Sequence, residues 1–164
     1  MLTLFIISFG ILSRIVVHTP NFTPVLAMAL FGGMYLKGRQ GIWVPLVLMA
    51  ISDVFVGFHD TMVFTWGSVL MISLIGLWLK SHKSWINVAA ASLVSSVLFF
   101  VVSNFGAFLS LYPHTWAGLQ ECYIAALPFY RSTLVSTVVY SVVLFFLWES
   151  LLARRENLFL MKVL

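Results

Sequence analysis

The stretch that decides the fold is WINVAAASLVSSVLFFVVSNFGAF, residues 85–108, which runs for 24 residues without an Asp, Glu, Lys or Arg. At a rise of 1.5 Å per residue, a helix of that length extends about 36 Å and can cross a hydrocarbon core about 30 Å thick. Strands of a membrane barrel alternate polar and apolar residues, whereas this block is continuously apolar. The stretch therefore predicts a transmembrane α-helix.

The rest of the chain has the same character. Of its 164 residues 62% are hydrophobic and 9% are charged, against roughly 25% charged in an ordinary soluble domain. At about 20 residues per span, this length accommodates roughly six helices and little else. We expect an all-α integral membrane protein, a single polytopic domain over residues 1–164, with six transmembrane helices near residues 2–17, 24–36, 42–57, 62–79, 85–108 and 132–150.

The basic residues predict the orientation of the bundle. With six spans, seven of the nine fall on one side of the membrane, and the opposite loops contain no Lys or Arg. The seven are Lys37, Arg39, Lys80, Lys83, Arg154, Arg155 and Lys162. Because Lys and Arg are enriched in cytoplasmic loops, we expect both termini in the cytoplasm of a bacterial cell and the chain in its inner (plasma) membrane. Basic residues scattered at segment ends do not predict a nucleic-acid partner.

The two remaining basic residues lie in or beside apolar stretches and require partners there. Arg14 and Asp53 reach the same depth in the outer half of the membrane, counted along their helices. They predict either a ligand contact or a structural clamp between the first and third helices. Arg131, near the external interface, is expected to be the principal charge facing a ligand, with Glu121 as its competing partner.

Polar residues concentrate in the predicted outer half, which favours a small-molecule pocket open to the external side. We expect the ligand-binding residues to be Arg14, Asn21, Asp53, Asn104, Tyr112, Trp116 and Arg131. Tyr112 and Trp116 are also typical of the headgroup interface, which is the alternative for those two. His18 and Glu121 are candidates for a lid or gate.

Two proline-containing segments interrupt the apolar pattern. HTPNFTP, residues 18–24, carries two prolines and predicts an irregular external loop or lid between the first two helices. Pro128 lies in AALPFYRST and predicts a kink at the entrance to the last helix.

No motif indicates catalysis or a cofactor. The chain has a single cysteine, Cys122, and His18, His59 and His114 form no pair at helical spacing. Nucleophile elbows, zinc-protease motifs and phosphate-binding loops are missing from the sequence. We therefore expect no enzyme, no metal and no cofactor, and keep a membrane haem or metal protein as a weaker alternative.

Small residues on the second stretch predict close helix packing. Ala27, Ala29 and Gly33 could form a docking face for another membrane protein, or could serve packing inside the bundle.

Three segments resemble an uncharacterised family of small bacterial membrane proteins grouped as transport proteins. They are PNFTPVLAMALFGGMYL, VPLVLMAISDVFVGFH and SNFGAFLSLYPHTWAGLQECYIAALPFYRSTL, residues 20–36, 44–59 and 103–134. The layout is similar to S components of energy-coupling factor transporters. That resemblance implies an S-component-like bundle with an external pocket, a lid loop and a docking face for a membrane energising module. It differs in one respect, because S components carry Ala-x-x-x-Ala on the first helix, whereas Ala29 and Gly33 lie on the second.

We therefore expect a substrate-binding membrane subunit of a vitamin-type or other micronutrient importer, which captures its ligand from the external side. Two arginines against one intramembrane acid favour an anionic ligand. The alternative is a non-transport membrane scaffold or assembly protein that binds a protein partner.

Overall fold

The computed structural model describes residues 2–16 and 21–163, and every regular element in those ranges is an α-helix. Six helices are formed there, which confirms the all-α prediction. They are α1 (Leu2–Val16), α2 (Val25–Tyr35), α3 (Gln40–Val56), α4 (Met62–Leu79), α5 (Trp85–Leu111) and α6 (Trp116–Val163).

The last helix begins much earlier than predicted. It starts at Trp116 rather than at residue 132, and it continues through Pro128. Thr115 precedes it, and its hydroxyl accepts a hydrogen bond of 3.1 Å from the Gly118 N–H, as a helix N-cap does. A proline removes a single N–H donor, and a helix packed against neighbours tolerates that loss. Polar residues between 116 and 131 lowered the hydropathy and concealed this part of the helix.

Three helices are long and apolar enough to cross a membrane, within the ranges that the structure describes. They cover Met62–Leu79, Trp85–Leu111 and Trp116–Arg154. The other three are apolar but shorter, and cover Phe5–Val16, Val25–Tyr35 and Gln40–Val56. The 11 residues of α2 extend only about 16 Å, so a six-span arrangement stays a prediction for these three helices.

Helix α2 is the centre of the bundle. Val25 to Met34 are all buried, and the helix contacts each of the other five. Its closest approach is to α4, where a Cβ added to Gly33 would lie 2.3 Å from the Ser73 carbonyl oxygen. A Cβ added to Gly76 would lie equally close to the Leu30 carbonyl oxygen. Only residues without a Cβ allow the two backbones to meet at this distance.

The small residues of α2 therefore serve packing inside the bundle. Ala27 and Ala29 have no exposed surface, and Gly33 is covered by α4. A partner could not reach this predicted docking face in the present conformation. Its three residues pack inside the bundle, which is the alternative that the sequence left open. The outward surface carries large apolar side chains instead, for example Val63, Ile86 and Phe146.

The loops with basic residues gather at one end of the bundle. The Glu149 carboxylate of α6 accepts hydrogen bonds from Tyr35, at the end of α2, and from Lys83, just before α5. The segments 36–39, 80–84 and 149–154 therefore lie together, and we call this the basic end. Their grouping agrees with the common side predicted for Lys37 and Arg154.

Candidate functional site

The ion pair predicted between Arg14 and Asp53 is formed. Arg14 Nη1 lies 2.7 Å from Asp53 Oδ1, and the carboxylate has no exposed surface. Nη1 also donates to the Ser52 hydroxyl at 2.5 Å and lies 3.2 Å from the Met49 sulfur. Helix α1, which packs mainly against α3, is thus tied to the last two turns of α3 by one guanidinium group.

The third partner in this network is not predicted by the sequence pattern. Trp66 of α4 donates a hydrogen bond of 2.7 Å from Nε1 to Asp53 Oδ2. The other carboxylate oxygen, Oδ1, is paired with the Arg14 guanidinium group. Trp66 and Asp53 lie on different helices, so helical spacing in the sequence could not pair them. The carboxylate thus has one protein partner on each oxygen and joins α1, α3 and α4.

Two other predicted residues meet at a cavity. Asn21, in the turn before α2, and Asn104, on α5, line a space of about 80 Å³ between α5 and α6. Three further polar side chains line it, namely Ser103, Tyr130 and Thr133, together with three phenylalanines and Ala126. We call this space the asparagine cavity. No charged side chain lines it in the part of the chain that the structure describes.

Local backbone geometry sets the two amides in place. Asn21 adopts a positive φ of 59°, in the left-handed region where Asn is among the few tolerated side chains. Its carbonyl oxygen accepts a hydrogen bond of 3.3 Å from Ser136, which fastens the turn to α6. The Asn104 amide donates to the Phe100 carbonyl oxygen at 2.7 Å, one turn earlier on α5. That bond uses one of its two N–H donors, and the second stays available to a ligand.

The asparagine cavity lies far from the basic end. Asn104 is nineteen residues beyond Trp85, where α5 begins, which corresponds to about 29 Å along the helix. It therefore occupies the end of the bundle opposite Lys83, which is the side predicted to face outward.

The other predicted site residues lie outside this cavity. Tyr112 is half-buried just after the last residue of α5, and Trp116 is exposed at the start of α6. Arg131 follows the cavity residue Tyr130 directly, but its side chain is exposed and does not line the cavity. Glu121 is exposed ten residues earlier on the same helix, about 15 Å away, so the two cannot form the predicted competing pair. His18 lies outside the described residues.

The described residues contain no cluster of three His, Cys, Asp or Glu side chains that could hold a metal ion. Cys122 is buried, and its thiol donates to the Asn104 carbonyl oxygen at 3.4 Å. It contributes to the contact between α5 and α6 beside the asparagine cavity.

Comparison with known proteins gives a family but no activity. No curated protein and no solved structure matches the chain. One family model covers residues 1–158, which is nearly the whole sequence. The chain therefore belongs to DUF6580, a family of unknown function.

Proposed function

We propose that this chain is the substrate-binding membrane subunit of a small-molecule importer, with the asparagine cavity as its ligand site. In this proposal all six helices are embedded in the inner membrane of a bacterium and both termini are cytoplasmic, as in S components of energy-coupling factor transporters. The cavity then opens towards the external side.

The observation that carries the proposal is the meeting of Asn21 and Asn104 at one cavity. One side chain comes from the turn between α1 and α2 and the other from α5, eighty-three residues later. A loop residue placed over a pocket formed by two helices is an arrangement suited to ligand capture. Amide groups also donate and accept hydrogen bonds, as recognition of a small polar molecule requires.

The lining indicates the kind of ligand. Amide and hydroxyl groups alternate with the rings of Phe99, Phe100 and Phe129, which suits a molecule with a polar edge and an apolar or aromatic face. Arg14 is neutralised by Asp53, and Arg131 is exposed and does not line the cavity. The charges near the cavity therefore favour a neutral polar ligand over the anionic one expected from the sequence.

Ligand entry would require a movement of the Asn21 turn. The cavity of about 80 Å³ is smaller than the ~300 Å³ at which pockets for small organic molecules begin. Asn21 is exposed, and its backbone carbonyl oxygen accepts a hydrogen bond from the Ser136 hydroxyl. Breaking that bond and separating the Phe22 ring from Tyr140, whose ring centroids are 5.7 Å apart, would let the turn move outward and enlarge the site.

Transport would need a partner, because the sequence contains no phosphate-binding loop for a nucleotide. The small residues of α2 are buried and cannot receive that partner in this conformation. A membrane energising module would therefore have to use the exposed apolar surface of the other helices or the basic end.

The test is ligand-dependent thermal stabilisation of the purified chain against a panel of vitamins and other micronutrients. A ligand of the asparagine cavity should raise the unfolding temperature of the wild type and of Gln120→Ala, an exposed amide outside the cavity. It should lose most of its effect on Asn104→Ala. Equal stabilisation of Asn104→Ala would place the ligand elsewhere. A panel in which no compound stabilises the wild type would favour the scaffold alternative.

A further inference from the structure

A second cavity, of about 290 Å³, lies at the basic end. Its polar lining comes from Tyr35, Lys83, Ser84 and Glu149, and Trp85 and Phe145 provide aromatic surface. It is separated from the asparagine cavity by most of the bundle, because Thr133 and Glu149 are about 24 Å apart along α6. The importer proposed above makes no use of it.

The charges in this cavity form a compact pair of opposite sign. Glu149 Oε1 accepts a hydrogen bond from the Tyr35 hydroxyl, and Oε2 accepts one from Lys83 Nζ. The side chain of Lys83 is 47% exposed and that of Glu149 is 28% exposed. An ion pair as exposed as this contributes little to stability, so a ligand can separate the two charges at small cost.

The tyrosine that donates to the Glu149 carboxylate lies among aromatic rings. Tyr35 lies against Phe31, Phe145 and Trp148, with ring centroids 4.8 to 5.9 Å apart. A carboxylate beside aromatic surface is a suitable site for an organic ammonium group. Lys83, once released from Glu149, lies beside the first turn of α5, and both features attract an anion. The cavity is therefore complementary to a molecule that carries an ammonium and a phosphate close together.

The surface beside the cavity is apolar. Ile86 on α5 is 81% exposed and Phe146 on α6 is 59% exposed, and each follows a residue that lines the cavity. Trp85 is also half exposed, at the junction between the apolar helix and the basic loop. Tryptophan prefers this boundary between headgroups and hydrocarbon. A ligand with acyl chains could place its headgroup in the cavity and its chains along α5 and α6.

We propose that the basic-end cavity binds the headgroup of a zwitterionic phospholipid of the ethanolamine type. The primary ammonium is held by Glu149 and the Tyr35 hydroxyl oxygen, and the phosphate is held by Lys83 and the first turn of α5. This inference uses the membrane placement proposed above, but it does not depend on the importer function.

The chemistry predicts which lipids are distinguished. A primary ammonium donates hydrogen bonds to Glu149, whereas the trimethylated ammonium of phosphatidylcholine cannot. Phosphatidylglycerol carries the phosphate without an ammonium and would leave Glu149 facing an anionic ligand. Affinity should therefore fall from phosphatidylethanolamine to its methylated derivatives in order of methyl number, and phosphatidylglycerol should bind more weakly still.

The experiment uses the delipidated full chain in a neutral detergent, with phosphatidylethanolamine, its mono-, di- and trimethylated forms and phosphatidylglycerol of the same acyl chains. The thermal unfolding midpoint of the wild type is measured against lipid concentration. We expect the apparent affinity to fall by about tenfold or more from phosphatidylethanolamine to phosphatidylcholine, the effect of losing one charge-assisted hydrogen bond. If phosphatidylethanolamine and its methylated forms bound the wild type with equal affinity, the proposal would be wrong, and no variant would be needed to show it.

Variants then locate the site. Glu149→Gln should lose the preference for phosphatidylethanolamine over phosphatidylcholine, and Lys83→Met should weaken both lipids. Lys80→Met is the matched control, since Lys80 is exposed in the same loop and does not line the cavity. A preference that survives Glu149→Gln would overturn the assignment. Soluble phosphoethanolamine is tested in parallel, and stabilisation equal to that by the lipid would show that the ligand is a soluble zwitterion.

Discussion

Trp66 Nε1 donates a hydrogen bond of 2.7 Å to Asp53 Oδ2, so the carboxylate is held from α4 as well as by Arg14 from α1. Asp53 has no exposed surface, and a buried charge persists only when it is paired and hydrogen-bonded. Neither Arg14 nor Asp53 lines the asparagine cavity or the basic-end cavity. The hydrogen bonds and the burial of Asp53 support a structural clamp, and a ligand contact of this pair stays a prediction.

Arg14→Ala should destabilise the fold strongly. Removing one member of a buried ion pair leaves the other charge uncompensated, which typically costs about 3–5 kcal/mol. The double variant Arg14→Ala with Asp53→Ala removes both charges and should be more stable than Arg14→Ala alone. Thermal unfolding of the purified variants in detergent measures the difference.

The matched control for this cycle is Arg39→Ala, because Arg39 is exposed at the start of α3 and has no assigned ion pair among the described residues. It should change stability by less than about 0.5 kcal/mol. If Arg14→Ala were as stable as Arg39→Ala, the buried pair would have no role in assembly. A double variant less stable than Arg14→Ala would indicate that Asp53 has a more important partner than Arg14.

Trp66→Phe tests the contribution of the indole N–H. Phenylalanine keeps an aromatic six-membered ring but lacks the indole N–H, so the hydrogen bond to Asp53 Oδ2 is lost, and bonds to charged groups contribute about 1.5–3 kcal/mol. We expect a loss of stability in that range in the wild-type background. In Asp53→Ala the same substitution should have a much smaller effect, because the acceptor is already absent. Equal effects in both backgrounds would show that Trp66 acts through packing alone.

The helices of this bundle could largely be predicted from the sequence, because continuous apolar stretches determine them. The predicted spans near 62–79 and 85–108 agree with α4 and α5 within a few residues. The start of α6 could not be predicted in this way. Its first turns contain Gln120 and Glu121, and the cap at Thr115 becomes recognisable only from its geometry.

The candidate site could be predicted only in part. The depth along each helix was sufficient to pair Arg14 with Asp53. Depth alone does not give the rotation of a helix about its axis. The sequence therefore predicts Arg131 beside the ligand, whereas in the structure the neighbouring Tyr130 lines the cavity. The hydroxyl groups of Ser103 and Thr133 are too common in apolar helices to be recognised as a site.

Gly33→Val should prevent α2 from packing against α4. Its Cβ would lie 2.3 Å from the Ser73 carbonyl oxygen and 2.9 Å from the Gly76 Cα, and backbone atoms cannot move aside as a flexible side chain can. We expect loss of folded protein in membrane extracts, or a drop in unfolding temperature larger than that of any single surface change. Fluorescence-detected size-exclusion chromatography measures both outcomes.

Gly67→Ala is the control for that prediction, since a Cβ at Gly67 meets no atom within 4 Å. Alanine also has a higher helix propensity than glycine, so the control should be as stable as the wild type or slightly more stable. A folded Gly33→Val protein with wild-type stability would contradict the close contact between α2 and α4.

The sequence and the structure lead to different expectations for Arg131, and one experiment distinguishes them. As the principal charge on an anionic ligand, Arg131→Lys should already weaken binding, because an ammonium cannot reproduce the two-pronged guanidinium contact. The structure places the side chain outside the asparagine cavity, so we expect Arg131→Ala to leave ligand affinity nearly unchanged. Isothermal titration of the ligand found in the micronutrient screen measures this. A tenfold or larger loss of ligand affinity in both variants would show that Arg131 contributes to ligand binding.

The orientation of the bundle can be tested by labelling single cysteines in intact cells. Lys37 and Lys80 belong to the basic end, whereas Asp60 and His114 lie in the loops at the other end, and all four are exposed. A membrane-impermeant maleimide should label cysteines at positions 60 and 114 from outside and reach positions 37 and 80 only after lysis. The background is Cys122→Ser, so that only the introduced thiol reacts.

This background should preserve the fold. The Cys122 thiol donates to the Asn104 carbonyl oxygen at 3.4 Å, and a serine hydroxyl can donate to the same acceptor. The joint contact of Tyr35 and Lys83 with Glu149 requires positions 37 and 80 to be labelled from one side, whichever side that is.

Labelling of positions 37 and 114 from the same side would contradict the six-span arrangement. Labelling of 37 and 80 from outside, with 60 and 114 protected, would keep the six spans and invert the bundle. The asparagine cavity would then open to the cytoplasm, and capture of a ligand from the external side would be wrong.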